Sequence, residues 1–248
     1  MLAIALGLVS GLIGMTGVMW ALGGIVHRIH DLAPSLTLAL LVAPAAFGLL
    51  GSRRLSIVAM QQTAAVAAAW ILAGFLSGRV DGFAAVLAVI VAALAALHPH
   101  RRLLWIARPR WPQAVIVAAA APFVAAYAVR EGRFQQIVAP TDPHAADGHY
   151  LAMAVTALAI LAVATVAALS AESWRLPTWC AALTSISLGI ASVEAPRLQG
   201  SLGRVGGAAA IVGAMAFGLA AELHGAKANR GSGSPQPRGG IEGPPAIV

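Results

Sequence analysis

Apolar residues run through this chain in long blocks, and short polar interruptions set the blocks apart. A helix needs about 20 mainly apolar residues to cross the hydrocarbon of a bilayer. Eight blocks come near that length, over residues 2–25, 33–50, 55–76, 82–98, 113–129, 149–171, 177–194 and 204–223. The pattern predicts an all-α fold: a polytopic helical membrane protein with one transmembrane domain over 1–225. Residues 226–248 are rich in Gly, Pro and Ser and too poor in large apolar residues to build a core, so they read as a disordered cytoplasmic tail.

Small residues and prolines refine these elements. Gly7, Gly11, Gly14, Gly17 and Gly24 lie mostly along one side of the first helix, and Gly206, Ala210, Ala214 and Gly218 repeat at every fourth position of the eighth. Lipid gives no hydrophobic drive between helices, so such stripes let backbones approach; these two helices are expected to pack closely on neighbours or to form an oligomer contact. Pro44 and Pro122 each remove a hydrogen bond inside a predicted helix and predict kinks. Between the fourth and fifth blocks, the basic connection from His98 to Pro112 holds Trp105 and Trp111 and reads as an interfacial segment.

Composition agrees with lipid as the main solvent: 59% of residues are hydrophobic and 10% charged, and the mean hydropathy is +0.83. Soluble domains carry about 25% charged residues. The net charge of +7 comes from 15 arginines and one lysine against 9 acids, and in such a chain it orients loops rather than pointing to nucleic acid, which is not expected as a partner. The even connections and the tail hold 10 of these cations and the odd connections 6. The majority belongs in the cytoplasm, so both termini are predicted inside. The preference for arginine and alanine suggests a GC-rich bacterial source and hence an inner membrane. No Lys or Arg precedes Arg28, so the charged start of a cleaved signal peptide is missing, and the first block is expected to stay as a membrane helix. Cys180, alone and in an apolar block, allows neither an intrachain disulfide nor a thiolate metal cluster.

Candidate chemistry concentrates on two odd connections, predicted to face outward. His27 and His30, spaced i, i+3, follow the first block; Asp142, His144, Asp147 and His149 lie in the run TDPHAADGHY before the sixth. Together they offer imidazole and carboxylate donors suited to Zn, Cu or Fe, or to proton transfer. Each also has an ordinary reading. The histidines after the first helix can offset a C-terminal dipole, Asp142 before Pro143 resembles an N-cap with proline at the first helical position, Asp147 can cap the sixth helix, and His149 and Tyr150 can be interfacial anchors.

A second candidate is Gln61 and Gln62 in the third block, which serve either as interhelical hydrogen-bond donors or as the lining of a solute path. The sequence holds no phosphate-binding Gly-Lys-Ser/Thr loop, no Gly-x-Ser-x-Gly elbow and no dinucleotide fingerprint. No ionisable residue falls centrally in a predicted span, which weakens an ion-coupled transporter. Three functions stay open: a metal or proton site at the outer face, a small-solute permease, and a non-catalytic subunit that joins a membrane-protein partner or a second copy through its glycine stripes.

Overall fold

The computed structural model describes residues 1–23, 28–79, 82–104, 109–138, 141, 143–170 and 173–231, of which 23, 28, 83, 103, 143–144 and 227–231 by backbone alone. Most of the predicted tail, 232–248, lies outside the described residues. All regular elements among the described residues are helical. In order they are α1 (Leu2–Gly23), α2 (Arg28–Leu36), a π-helical stretch (Thr37–Val42), α3 (Ala43–Gly48), α4 (Arg53–Leu76), α5 (Gly82–Leu97), a 3-10 turn (Arg101–Leu103), α6 (Trp111–Val138), α7 (Pro143–Ala146), α8 (His149–Leu169), α9 (Arg175–Glu194) and α10 (Gly203–Gly231). Seven of the resulting spans are long and apolar enough to cross a membrane, with α2, the π stretch and α3 counting as one over Ile29–Gly48.

The fourth predicted span differs. Helix α5 has 16 residues, about 24 Å at 1.5 Å per residue, short of a hydrocarbon core of about 30 Å. It still runs antiparallel to α4 along most of that helix: His98, just after α5, bonds through Nε2 to the Ser56 hydroxyl at 2.7 Å in the first turn of α4.

Two boundaries move, and one span changes its helical form. The second span begins at Arg28 rather than 33, and Pro34 sits inside α2. At Pro44, which has no N–H for the preceding turn, the helix widens into the π stretch, where the Ala43 N–H reaches the Leu38 carbonyl five residues back. Gln62 donates from α4 to the Leu41 carbonyl in this widened turn at 2.8 Å, so the distortion is paired from a neighbouring helix. Helix α6 runs to Val138 rather than 129 and is 28 residues long. Its last third carries Arg130, Glu131 and Arg133, charges that resemble the end of a span but here lie on a continuing helix.

The helices form an inner and an outer set. About two-thirds of the apolar windows of α8 and of the Ile29–Gly48 span are buried, against 22% for α1, 17% for α6 and 28% for α10. The core is built from the π stretch, α4, α8 and α9, with Met60, Met153, Leu41 and Val163 fully enclosed. The outer helices turn large apolar side chains such as Leu12, Trp20, Phe123 and Leu219 outward, a surface suited to lipid.

The glycine stripes face inward. Along α1, Gly7 meets Phe47, Gly11 meets Ala43, and a Cβ on Gly14 would stand 2.6 Å from the Ala39 nitrogen. Helices α9 and α10 cross at Gly189 and Gly207, where a Cβ on either would come within 2.7 Å of the other's carbonyl. Gly218 lies against Trp179, whereas Gly206 of the predicted stripe meets only Leu202 of the loop just before α10. Gly207→Val should force α10 off α9 and lower stability by about 1–3 kcal/mol, seen as earlier thermal unfolding in detergent. Gly213→Ala, with nothing within 4 Å of its Cβ, should leave unfolding unchanged or later.

Candidate functional site

One end of the bundle gathers the start of α2, the Arg79 turn after α4, the last turns of α6, the start of α8 and the α9–α10 loop. Helix α8 begins after Gly148, whose φ of +81° is left-handed and suits glycine because it lacks a Cβ. Arg79 donates to the carbonyls of Ala145 and Ala146 at 3.0 and 2.7 Å, partnering the exposed C-terminal end of α7. Gln135 of α6 completes the joint. Its Nε2 donates to the Ala145 carbonyl, and its Oε1 accepts the Leu151 N–H at 3.1 Å in the first turn of α8.

The α9–α10 loop is held by its carbonyls. His30 Nε2 bonds the Gln199 carbonyl at 2.6 Å, the Tyr127 hydroxyl donates to Gly200, and Arg130 Nη2 donates to Ser201 at 3.3 Å. A carbonyl only accepts, so the His30 proton is on Nε2 and only Nδ1 of that ring can accept or ligate.

His149 lies against His30 with ring centroids 5.9 Å apart at 88°, and Tyr150 meets His30 at 5.3 Å. His149 Nε2 is 3.8 Å from Asp31 Oδ1, and these two side chains are about one-fifth exposed.

Behind them is Glu131, fully buried in α6. Arg130 holds its carboxylate through Nε and Nη2 at 2.8 and 2.7 Å, and Gln199 Nε2 stands 3.5 Å from Oε2. Gln199 thus touches both the imidazole of His30, through its backbone, and Glu131, through its side chain. Arg130 itself is half exposed and stacks over Tyr127 at 4.9 Å.

The fold brings His30 and His149 together and adds Asp31. Asp147 is exposed, and the N-cap position of α8 belongs to Gly148, with no side-chain cap, so Asp147 does not play the capping role considered for it. His30 lies in the first turn of α2, not at the C-terminus of α1, which ends at Gly23. His27 and Asp142 lie outside the described residues, as does the side chain of His144. Among the described residues no group of three or more His, Cys, Asp or Glu is arranged to hold a metal ion. Gln61 and Gln62 sit in the other half of the bundle, where Gln61 donates to the Leu104 carbonyl at 2.7 Å and Gln62 to Leu41.

Comparison with models of known protein families, with curated proteins and with solved structures yields no match. The site's chemistry therefore rests on its own geometry. The sequence did not point to Tyr127, Arg130, Glu131, Gln135 and Gln199: the stretch after 129 read as a connection, Tyr127 as part of an apolar block and Gln199 as part of a later connection. The spacing Tyr127, Glu131, Gln135 is i, i+4, i+8, a polar stripe on one helical face, and that signal was available.

Gln135→Leu should leave the Leu151 N–H without its acceptor at a cost of about 1–3 kcal/mol. Hydrogen exchange should then quicken at residues 149–151 and stay unchanged in α10.

Proposed function

We propose that this chain is a bacterial inner-membrane protein, crossing the bilayer eight times with both termini in the cytoplasm, that handles protons from the outer phase at His149 and Asp31, with Glu131 as the buried carboxylate behind them. The single observation that carries the reading is Glu131, a fully buried carboxylate in a helix long and apolar enough to span, joined through Gln199 to His30 and its neighbour His149. Ionisable groups inside membrane helices are costly and commonly functional. Its presence in α6 also restores the ion-coupled class that the predicted boundary at 129 had weakened.

In this reading His149 and Asp31, partly exposed, are the port. Arg130 couples the proton to structure, since its Nη2 holds both Glu131 and the Ser201 carbonyl. Neutralising Glu131 weakens that ion pair and frees Arg130 to release the α9–α10 loop.

The eight-crossing topology rests on α5 running back along α4 to Ser56 and on the 10 to 6 bias of cations. Ala146→Cys should react with a membrane-impermeant maleimide in intact cells and Val248→Cys should not; the reverse labelling would put the histidine cluster inside.

Proton uptake can be read in liposomes carrying the purified chain and an internal pH dye after an external acid pulse. Dye acidification should slow roughly a hundredfold in His149→Gln and Glu131→Gln, the low end for losing one positioned acid or base, and stay within about twofold in Asp147→Asn. Rates equal to protein-free liposomes, or variants as fast as the parent, reject the proposal. The pairing of His30 with His149 leaves a Zn, Cu or Fe site as the second reading. Stoichiometric metal in the same preparations, lost in His149→Gln, would favour that reading instead.

A further inference from the structure

At the opposite end of the bundle, two overlapping clefts of about 350 and 520 Å³ open between the start of α1, the α3–α4 turn and the end of α5. They share Arg53, His98 and His100; the larger adds Arg101 and Arg102, and the smaller is floored by Leu94 and Leu97. Among the described residues no acidic side chain lines either.

His98 shapes this cleft without contributing charge. Its Nδ1 accepts the His100 N–H at 3.1 Å, so its proton is on Nε2 and is donated to Ser56. Burial, and then the neighbouring His100, push its pKa below the usual histidine value, with the Ser56 bond opposing them. The ring is therefore a neutral wedge with both nitrogens engaged.

The positive charge comes from Arg53, Arg101 and Arg102, whose side chains are exposed. Arg101 is steadied by donating to the Ala96 carbonyl at 3.0 Å. Arg53 opens the 24-residue α4, whose N-cap Ser52 makes no side-chain capping bond, so the helix adds first-turn amides and the positive end of its dipole. Leu97, 79% exposed at the end of α5, continues the apolar floor to the bundle's outer surface.

A cleft with three cations above and an apolar floor leading to the lipid-facing side fits a phosphate ester carrying acyl chains. We propose that it binds the phosphate of an anionic headgroup through Arg53, Arg101 and Arg102, with the chains lying along Leu94 and Leu97. The inference is independent of the proton reading, which concerns the other end of the molecule. A lipid and free phosphate share this chemistry, so the test separates them.

Native mass spectrometry of the detergent-purified full chain would compare retention of phosphatidylglycerol with phosphatidylethanolamine of the same acyl chains, with and without millimolar inorganic phosphate. Preferential retention of phosphatidylglycerol is expected, weakened roughly fivefold for each arginine changed to glutamine. Persistence against inorganic phosphate identifies the lipid as ligand; displacement by it identifies free phosphate at the same site. Equal retention of the two lipids, or a triple R53Q/R101Q/R102Q variant that binds like the parent while unfolding at the same temperature, overturns the proposal. Should the triple variant misfold, raising salt on the unaltered protein decides: release of phosphatidylglycerol alone upholds the site, and no release refutes it.

Discussion

Away from water, a backbone carbonyl or amide that leaves its helix has to find a partner inside the protein, and the polar side chains of this bundle are placed where helices break. Gln62 serves the widened turn before Pro44. Arg79 and Gln135 serve the end of α7 and the start of α8. His30, Tyr127 and Arg130 hold three successive carbonyls of the α9–α10 loop. At the other end, the Arg110 side chain reaches the Ala221 carbonyl, and its amide reaches Ala168 at the end of α8. Most of these bonds join elements far apart in sequence, so satisfying the backbone also ties the helices together.

That requirement explains why an oily chain still has a defined arrangement. Apolar burial alone distinguishes poorly between helices in lipid, since lipid tails are as apolar as leucine. Steric fit supplies the rest of the specificity. The backbones of α9 and α10 come close enough at Gly189 and Gly207 that a single added Cβ would collide with a carbonyl, and α1 meets the second span in the same way at Gly14. With both glycine stripes used within the chain, the outward faces of α1 and α10 keep their large apolar side chains for the surroundings.

The two ends differ in charge and in how they use histidine. One sets a pair of imidazoles beside the partly exposed Asp31, with Glu131 buried behind them. The other has arginines around a neutral His98 locked by Ser56 and a backbone amide. The same side chain is thus a candidate for proton exchange at one end and a shaping element at the other, according to whether its nitrogens face a carboxylate or are engaged by neutral partners.

The sequence by itself determined the class of protein, the approximate positions of the helices and the small-residue faces, because these depend on block length, composition and local spacing. It also put His30 and His149 on connections of the same parity. It did not reveal that α6 continues through Glu131, since a charge beyond an apolar block normally marks its end, and only neighbouring chain segments can bury and pair that carboxylate. Nor did it decide that Gly148 rather than Asp147 occupies the turn into α8, or that Gln62 answers a broken turn in another helix. Those outcomes hinge on donors and acceptors distant in sequence meeting at about 3 Å, and only the packed tertiary structure brings them within that reach.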